Sequence, residues 1–255
     1  MNAKLTRLWA TKSKDDEWWS SFVTSPIAII VNYAAVEHPW ITPNRVTAMS
    51  FLVAIAASVF VIAGGFSNFI IAAVLIHLSH VLDCMDGQLA RYRQVSSPLG
   101  SYYDRITDQM QVAMWFGAVG YAAYHQTGTV TPVLLALIGI AFYGLRGYIK
   151  YVAIEIEMAR DPGYANRRAD ETKTEIAAGI GFDFRANLTW LVREQPKILQ
   201  FNEGVFIFML SAALVFDVLE PMLWIFAVSQ VLWSLRRAVE GGYRIHKNTQ
   251  HPIQK

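Results

Sequence analysis

The sequence predicts an all-α integral membrane protein with six transmembrane helices, preceded by an N-terminal amphipathic helix in the membrane interface. Three observations support this fold class. Of the 255 residues, 54% are hydrophobic and only 16% are charged, which is too apolar for an ordinary soluble domain. Six segments are long and apolar enough to cross a bilayer. Lys and Arg cluster at alternate ends of these segments, as expected for a chain that crosses a membrane repeatedly.

The interfacial helix is predicted over Glu17 to Val36. This segment mixes tryptophans and isoleucines with serines, and Pro26 interrupts it. A seventh span is the alternative, although Pro26 to Val36 is short for a bilayer crossing. Residues 1–41 are therefore predicted to form a cytoplasmic N-terminal region that contains this helix.

The six predicted spans make up residues 42–255 together with a polar cytoplasmic excursion at about 160–201. They are Arg45 to Gly64, Asn68 to Asp86, Gly100 to His125, Val130 to Ile156, Glu203 to Leu219 and Pro221 to Tyr243. The turns after the first, third and fifth spans contain no Lys or Arg, whereas the opposite ends are rich in both. The positive-inside rule therefore places both termini, and the residues at the junction of the second and third spans, on the cytoplasmic side. The predicted location is a bacterial inner membrane.

Charge and cysteine content exclude several classes of function. A net charge of +2 is too small to indicate nucleic-acid binding. Cys84 is the single cysteine, which excludes an internal disulfide and a multi-thiolate metal site. We interpret Cys84 as a small buried side chain rather than a reactive thiol.

One run of polar residues interrupts this apolar chain, with the spacing Asp83-x2-Asp86-Gly87-x2-Ala90-Arg91-x8-Gly100-x3-Asp104-x3-Asp108. The aspartates recur at helical spacing, so on two helices each pair shares a face. Four carboxylates that face one another repel unless cations hold them, and such oxygen ligands suit Mg²⁺, Mn²⁺ or Ca²⁺ rather than zinc. A polar seam buried between helices is the alternative, but charge inside a membrane is costly and indicates a functional site.

The run resembles the signature of the CDP-alcohol phosphotransferase family, membrane enzymes that make phospholipids and related phosphodiesters. All eight specified positions match, although they cover only about a tenth of the chain. The resemblance implies that Asp83, Asp86, Asp104 and Asp108 hold two divalent ions, Mg²⁺ or Mn²⁺. It also implies that Asp108 is the general base that deprotonates the acceptor hydroxyl.

The resemblance further implies a nucleotide site around the signature. Its predicted members are Asn44, Thr47, Gly87, Ala90, Arg91, Ser97 and Gly100. Most of these residues also have a simpler interpretation: close helix packing for Gly87 and Gly100, a snorkelling charge for Arg91, and a capped helix N-terminus for the run from Thr42 to Thr47. Exposed amides at that helix start would also favour an anion.

Two further groups of residues are ambiguous. Arg146, Lys150, Arg236 and Arg237 are candidates for binding a phosphate of the acceptor or of a lipid, but anchoring at the cytoplasmic surface explains them equally well. His77 and His80 precede the signature by about two turns and one turn. We interpret both as buried hydrogen-bonding residues rather than metal ligands.

The predicted function is transfer of a phosphoalcohol from a CDP-linked donor to an acceptor alcohol, with release of CMP. Either the donor is CDP-diacylglycerol and the acceptor a small polar alcohol, or a CDP-linked head group is transferred to a lipid or polyol. The run Ser96 to Gly100 is somewhat more similar to the second branch. The resemblance also implies a homodimer. A divalent-cation transporter or channel is the competing class, and an inactive scaffold of the same fold is a third.

Overall fold

The computed structural model describes residues 2–12, 17–161, 163–164 and 184–250, and every regular element in these ranges is helical. The helices are α1 (Ala3–Trp9), α2 (Ser25–Ala35), α3 (Pro43–Ala63), α4 (Phe66–Arg93), α5 (Pro98–Thr127), α6 (Thr131–Arg160), α7 (Phe184–Glu194), α8 (Glu203–Val215) and α9 (Leu219–Gln250). A π-helical turn, Ser20–Thr24, leads into α2, and a 3₁₀ helix, Gln195–Gln200, follows α7. The all-helical class is confirmed.

A helix lies at each of the six predicted spans. By length and composition, α3, α4 and α6 are long and apolar enough to cross a membrane. α8 is apolar but has only 13 residues, and α5 and α9 are long but more polar. Three candidate spans are therefore established, and the count of six stays a prediction.

The core lies where α4, α5, α8 and α9 meet. Trp115 and Phe116 of α5 are fully buried there, and the Phe116 ring stacks on Phe226 of α9 with centroids 3.6 Å apart. Close helix approach depends on glycine, because a Cβ on Gly139 of α6 would lie 2.3 Å from the Phe226 ring. This packing fixes the second half of α5 and so the direction in which its first half extends.

The N-terminal region packs against the end of α4. Asn32 of α2 donates to the carbonyl oxygen of Met85 at 3.0 Å, and Arg7 of α1 donates to that of Tyr92 at 2.8 Å. Arg93 donates to the carbonyl oxygens of Ile41 and His38 at 2.5 and 2.9 Å. These bonds hold the N-terminal region beside the signature.

The opposite face of α2 exposes apolar side chains, with Ile30 70% exposed. An apolar outer face suits contact with lipid, but it does not establish an interfacial position, which stays a prediction. Of the predicted excursion at about 160–201, α7 and the 3₁₀ helix are described. Residues 165–183 lie outside the described part of the chain.

Candidate active site

The four signature aspartates meet where the end of α4 faces the start of α5. Oxygen atoms of Asp83, Asp104 and Asp108 all lie within 4.8 Å of one another. Asp86 is only 6% exposed, and its carboxylate is hydrogen-bonded to the Thr47 hydroxyl of α3. Three helices therefore position one carboxylate cluster.

A short link between α4 and α5 brings the aspartates together. α4 ends with Gln94 in the left-handed conformation, at φ 56°. Ser97 then caps α5, since its hydroxyl accepts from the amide of Gly100 at 3.1 Å, and Pro98 suits the first helical position. Because the chain reverses over so few residues, the last turns of α4 face the first turns of α5.

Two carboxylate oxygens in this cluster have unused hydrogen-bonding capacity. Asp83 Oδ1 and Asp108 Oδ1 are buried and have no hydrogen-bond partner among the described residues. Buried polar atoms are normally satisfied, and a divalent cation satisfies several carboxylates at once. The donor set of hard oxygens therefore fits Mg²⁺ or Mn²⁺.

A cavity of about 140 Å³ opens beside Asp86 and Asp104. All seven residues predicted to bind the nucleotide line it: Asn44, Thr47, Gly87, Ala90, Arg91, Ser97 and Gly100. They come from α3, α4, the link and α5. We call this space the nucleotide-side cavity.

Gly87 and Arg91 form a pair one helical turn apart. The Arg91 guanidinium folds back over Gly87, so that a Cβ on Gly87 would lie 3.2 and 3.3 Å from the two terminal nitrogens. Arg91 Nε donates to the carbonyl oxygen of Thr11 at 2.6 Å. Because Gly87 has no side chain, the Arg91 guanidinium fits over it. The bond to Thr11 then keeps this positive charge at the edge of the cavity.

A second cavity, of about 220 Å³, borders the same aspartates. We call it the far-side cavity. Its walls include Glu17, His80 and Glu203, none of which the sequence indicated as a site residue. Glu203 is a single acid before an apolar run, and Glu17 ends the acidic run Asp15-Asp16-Glu17, so neither gave a specific signal in the sequence. Their proximity depends on tertiary packing.

The polar groups of the far-side cavity contact one another. His80 Nε2 lies 2.8 Å from Ser20 Oγ, and its Nδ1 lies 3.4 Å from Glu203 Oε1 without hydrogen-bond geometry. Glu17 accepts from the amide of Gly204 at 2.5 Å. Burial raises the pKa of Glu17 above its ordinary value, opposed by the nearby His80 and the Ser20 hydroxyl.

The structure only partly supports the interpretation of the two histidines. His77 Nδ1 lies 3.0 Å from the Ala73 carbonyl oxygen and 3.1 Å from Ser211 Oγ, as expected for a hydrogen-bonding residue. His80 also has a hydrogen-bonding contact, but atoms of His80, Asp83 and Glu203 lie within 4.8 Å of one another. His80 is therefore part of the site region, which the sequence did not predict.

The predicted basic residues are not gathered in one place. Lys150 and Arg237 line a separate cavity of about 350 Å³ together with Arg244. Arg146 instead donates to the Gln200 carbonyl oxygen, and Arg236 pairs with Glu240 at 2.6 Å. Two of the four predicted residues, Lys150 and Arg237, therefore share a cavity. The other two side chains bind partners elsewhere.

Comparison with known proteins identifies the family. Residues 40–180 match the family model described as CDP-alcohol phosphatidyltransferase, which covers more than half of the chain. The chain belongs to this family.

Similar CDP-alcohol phosphatidyltransferase sequences include the bifunctional IPC transferase and DIPP synthase of Thermococcus kodakarensis. It is 31% identical over 130 residues, which are 51% of this chain and 29% of that protein. Cholinephosphotransferase 1 of Xenopus laevis is 25% identical over 119 residues, 43% of this chain and 29% of that protein. The matches thus span less than a third of each of these relatives.

A solved member of the CDP-alcohol phosphatidyltransferase family shares the fold. The crystal structure of the phosphatidylinositol phosphate synthase of Mycobacterium tuberculosis, with CDP-DAG bound, superposes with a TM-score of 0.50. The alignment covers 84% of this chain and 91% of that one at 19% identity. At this identity the likeness concerns the fold.

Proposed function

We propose that the protein is a membrane CDP-alcohol phosphotransferase that transfers a phosphoalcohol to an acceptor alcohol and releases CMP. One observation carries the proposal: the cavity beside the four aspartates is lined by every residue predicted to bind the nucleotide. Membership of the family supports the same reaction class.

Asp83, Asp86, Asp104 and Asp108 would hold two divalent ions. Bound there, the ions would neutralise the pyrophosphate and stabilise the charge that develops on the leaving nucleotide. The two unpartnered buried oxygens of Asp83 and Asp108 support this assignment. Arg91 would bind a phosphate at the cavity edge through its guanidinium.

Asp108 would act as the general base. It would take the proton of the acceptor hydroxyl while that oxygen attacks the phosphorus that bears the donor alcohol. The new bond joins the acceptor oxygen to phosphorus, and the bond from phosphorus to the bridging oxygen breaks. CMP leaves with that oxygen.

A cation pathway is less well supported. A pathway needs ionisable residues at several depths of the membrane. The aspartates here occupy only the end of α4 and the start of α5, whereas the opposite halves of these helices contain no Asp, Glu, Lys or Arg. This distribution supports a one-sided site.

CMP release tests the function. Purified protein with Mg²⁺ or Mn²⁺ is expected to release CMP from CDP-diacylglycerol or from CDP-ethanolamine when a suitable alcohol is added, and chelation with EDTA is expected to stop it. The donor that supports turnover identifies which substrate carries the lipid. Transport of cations by a protein that releases no CMP would contradict the proposal.

Membrane topology and assembly belong to the same proposal. The enzyme would lie in a bacterial inner membrane as a homodimer, with its site and both termini facing the cytoplasm. In a Cys84→Ser background, Thr129→Cys and Lys247→Cys are expected to be labelled from opposite sides of the membrane. Labelling from one side would contradict the six-span topology.

A further inference from the structure

The far-side cavity has walls of its own beyond the aspartates. It shares Asp86, Gly87, Arg91 and Asp104 with the nucleotide-side cavity. Its other polar walls come from the segment before α2, from the first residue of α2, from α4 and from the start of α8: Glu17, Ser20, Ser25, His80, Asp83 and Glu203. The two spaces therefore adjoin along these four shared residues; α3 and the link bound one space, and the N-terminal segment and α8 bound the other.

Tertiary contacts fix these walls. Gly204 approaches Glu17 so closely that a Cβ there would lie 2.1 Å from Glu17 Oε1. His80 is 3% exposed, and its Nδ1 has no hydrogen-bond partner among the residues described. This nitrogen lies 3.4 Å from Glu203 Oε1 without hydrogen-bond geometry, so the imidazole and the carboxylate are both placed to bind a polar group of a ligand.

The position of this cavity matches that of the attacking substrate. In phosphoryl transfer the attacking and leaving oxygens lie roughly in line on opposite sides of phosphorus. With the nucleotide in the first cavity and phosphorus at the aspartates, the far-side cavity is the adjoining space from which a hydroxyl can reach phosphorus.

The charge of the cavity restricts what enters it. Two divalent ions would neutralise the four signature aspartates, so the charge left in the cavity comes from Glu17 and Glu203 and from Arg91, the one Lys or Arg among the described lining residues. Hydroxyl and ammonium groups can donate hydrogen bonds to carboxylates, whereas a phosphate would meet repulsion. The cavity with Lys150, Arg237 and Arg244 has the opposite character.

We propose that the far-side cavity binds the acceptor, and that the acceptor is a polar alcohol with hydroxyl or amino groups and no phosphate. Glu17, His80 and Glu203 determine this specificity by accepting from or donating to those groups. The inference rests on the proposed function, since it assumes that an acceptor alcohol attacks at the aspartates.

Matched acceptors test the proposal. CMP release would be measured with the donor that supports turnover and with glycerol against glycerol 3-phosphate, inositol against inositol 1-phosphate, and ethanolamine alone. Wild-type kcat/KM is expected to be at least about tenfold higher for the unphosphorylated member of each pair, a difference of about 1.4 kcal/mol. Ethanolamine distinguishes an amino alcohol from a polyol.

Two variants connect the selectivity to the cavity walls. Glu203→Gln and Glu17→Gln are expected to raise the KM for the acceptor about tenfold and to leave the KM for the CDP donor unchanged. Glu203 is half-buried, with 34% of its side chain exposed, so its variant is the one expected to fold normally. Glu220→Gln, at the start of α9, is the matched control and should change neither constant.

The outcomes separate the two proposals. A wild-type protein that releases no CMP with any pair overturns the proposed function and this inference together. CMP release with a preference for phosphorylated acceptors overturns the inference alone. An unchanged acceptor KM in Glu203→Gln, combined with weaker Mn²⁺ binding, would assign Glu203 to the metal cluster and also overturn it.

Discussion

The two halves of α5 differ in what surrounds them. In the second half, Trp115, Phe116 and Val119 are fully buried in the core. In the first half, Tyr102 and Tyr103 are at least half exposed, Asp104 lines the nucleotide-side cavity, and Asp108 Oδ1 is buried without a hydrogen-bond partner among the described residues. The helix is thus anchored at one end and holds its carboxylates at the other, so stability and chemistry should respond to different substitutions.

Asp108→Asn should give the largest effect and should affect chemistry alone. Loss of the general base is expected to lower kcat for CMP release by about 10²–10⁴-fold. Thermal stability in detergent should be unchanged or higher, because the substitution removes one of several mutually repelling carboxylates. Steady-state kinetics and an unfolding curve measure the two quantities.

Asp217→Asn is the control for this prediction. Asp217 accepts from Gln126 at 2.6 Å in the turn before α9, and Asn tolerates its positive φ of 54°. Normal turnover in Asp108→Asn would remove Asp108 from the role of base, and a large loss of stability would contradict the division between the two halves of α5.

Gly120→Ala tests the anchored half and should affect stability alone. The new Cβ would lie 2.7 Å from Ala136 Cβ of α6, and overpacking typically costs about 1–3 kcal/mol. The higher helix propensity of Ala offsets up to about 1 kcal/mol of this cost. The unfolding midpoint should therefore fall, while kcat for CMP release at low temperature stays that of wild type.

Gly117→Ala is the matched control on the same helix. Among the described residues, a Cβ on Gly117 would meet no atom within 4 Å outside the backbone of its own helix, so the midpoint should stay or rise. A lower kcat in Gly120→Ala at a temperature at which the protein is fully folded would show that the two halves are coupled.

The sequence was sufficient to predict the helical class, the helix at each predicted span and the meeting of the signature residues. Helical spacing puts Asp83 and Asp86 near one face, and the capping residue Ser97 followed by Pro98 restarts the chain as a helix shortly after Gln94. The contact of Asn44 and Thr47 with this region followed from the resemblance, since no local pattern relates α3 to α4.

Other parts of the site could not be predicted, because they depend on contacts between distant segments. At the site Glu17 accepts from the amide of Gly204, which is 187 positions away in the chain. Lys150 and Arg237 share a cavity because α6 and α9 pack together, whereas Arg236 points elsewhere. Adjacent positions in the sequence, such as Arg236 and Arg237, therefore do not predict that both side chains line the same cavity.

Gly87→Ala should give the smallest effect. Gly87 lies near the end of α4, which faces the first half of α5 across the site, so the substitution tests how closely the site residues are packed. A methyl group at 3.2 Å from the Arg91 guanidinium must displace that flexible side chain by a few tenths of an ångström. The KM for the CDP donor is therefore expected to rise about three- to tenfold, with kcat within about twofold of wild type. Steady-state CMP release at varied donor concentration measures both constants.

A double-mutant cycle with Arg91→Lys decides whether Gly87 acts through Arg91. Lysine has no planar fork, so the methyl group should cost less in the Arg91→Lys background, with a coupling energy of at least about 0.5 kcal/mol. Additive effects would instead mean that Gly87 serves the close approach of the nucleotide to the helix backbone. In that case the Arg91 guanidinium and the glycine would be two independent contacts of the nucleotide-side cavity.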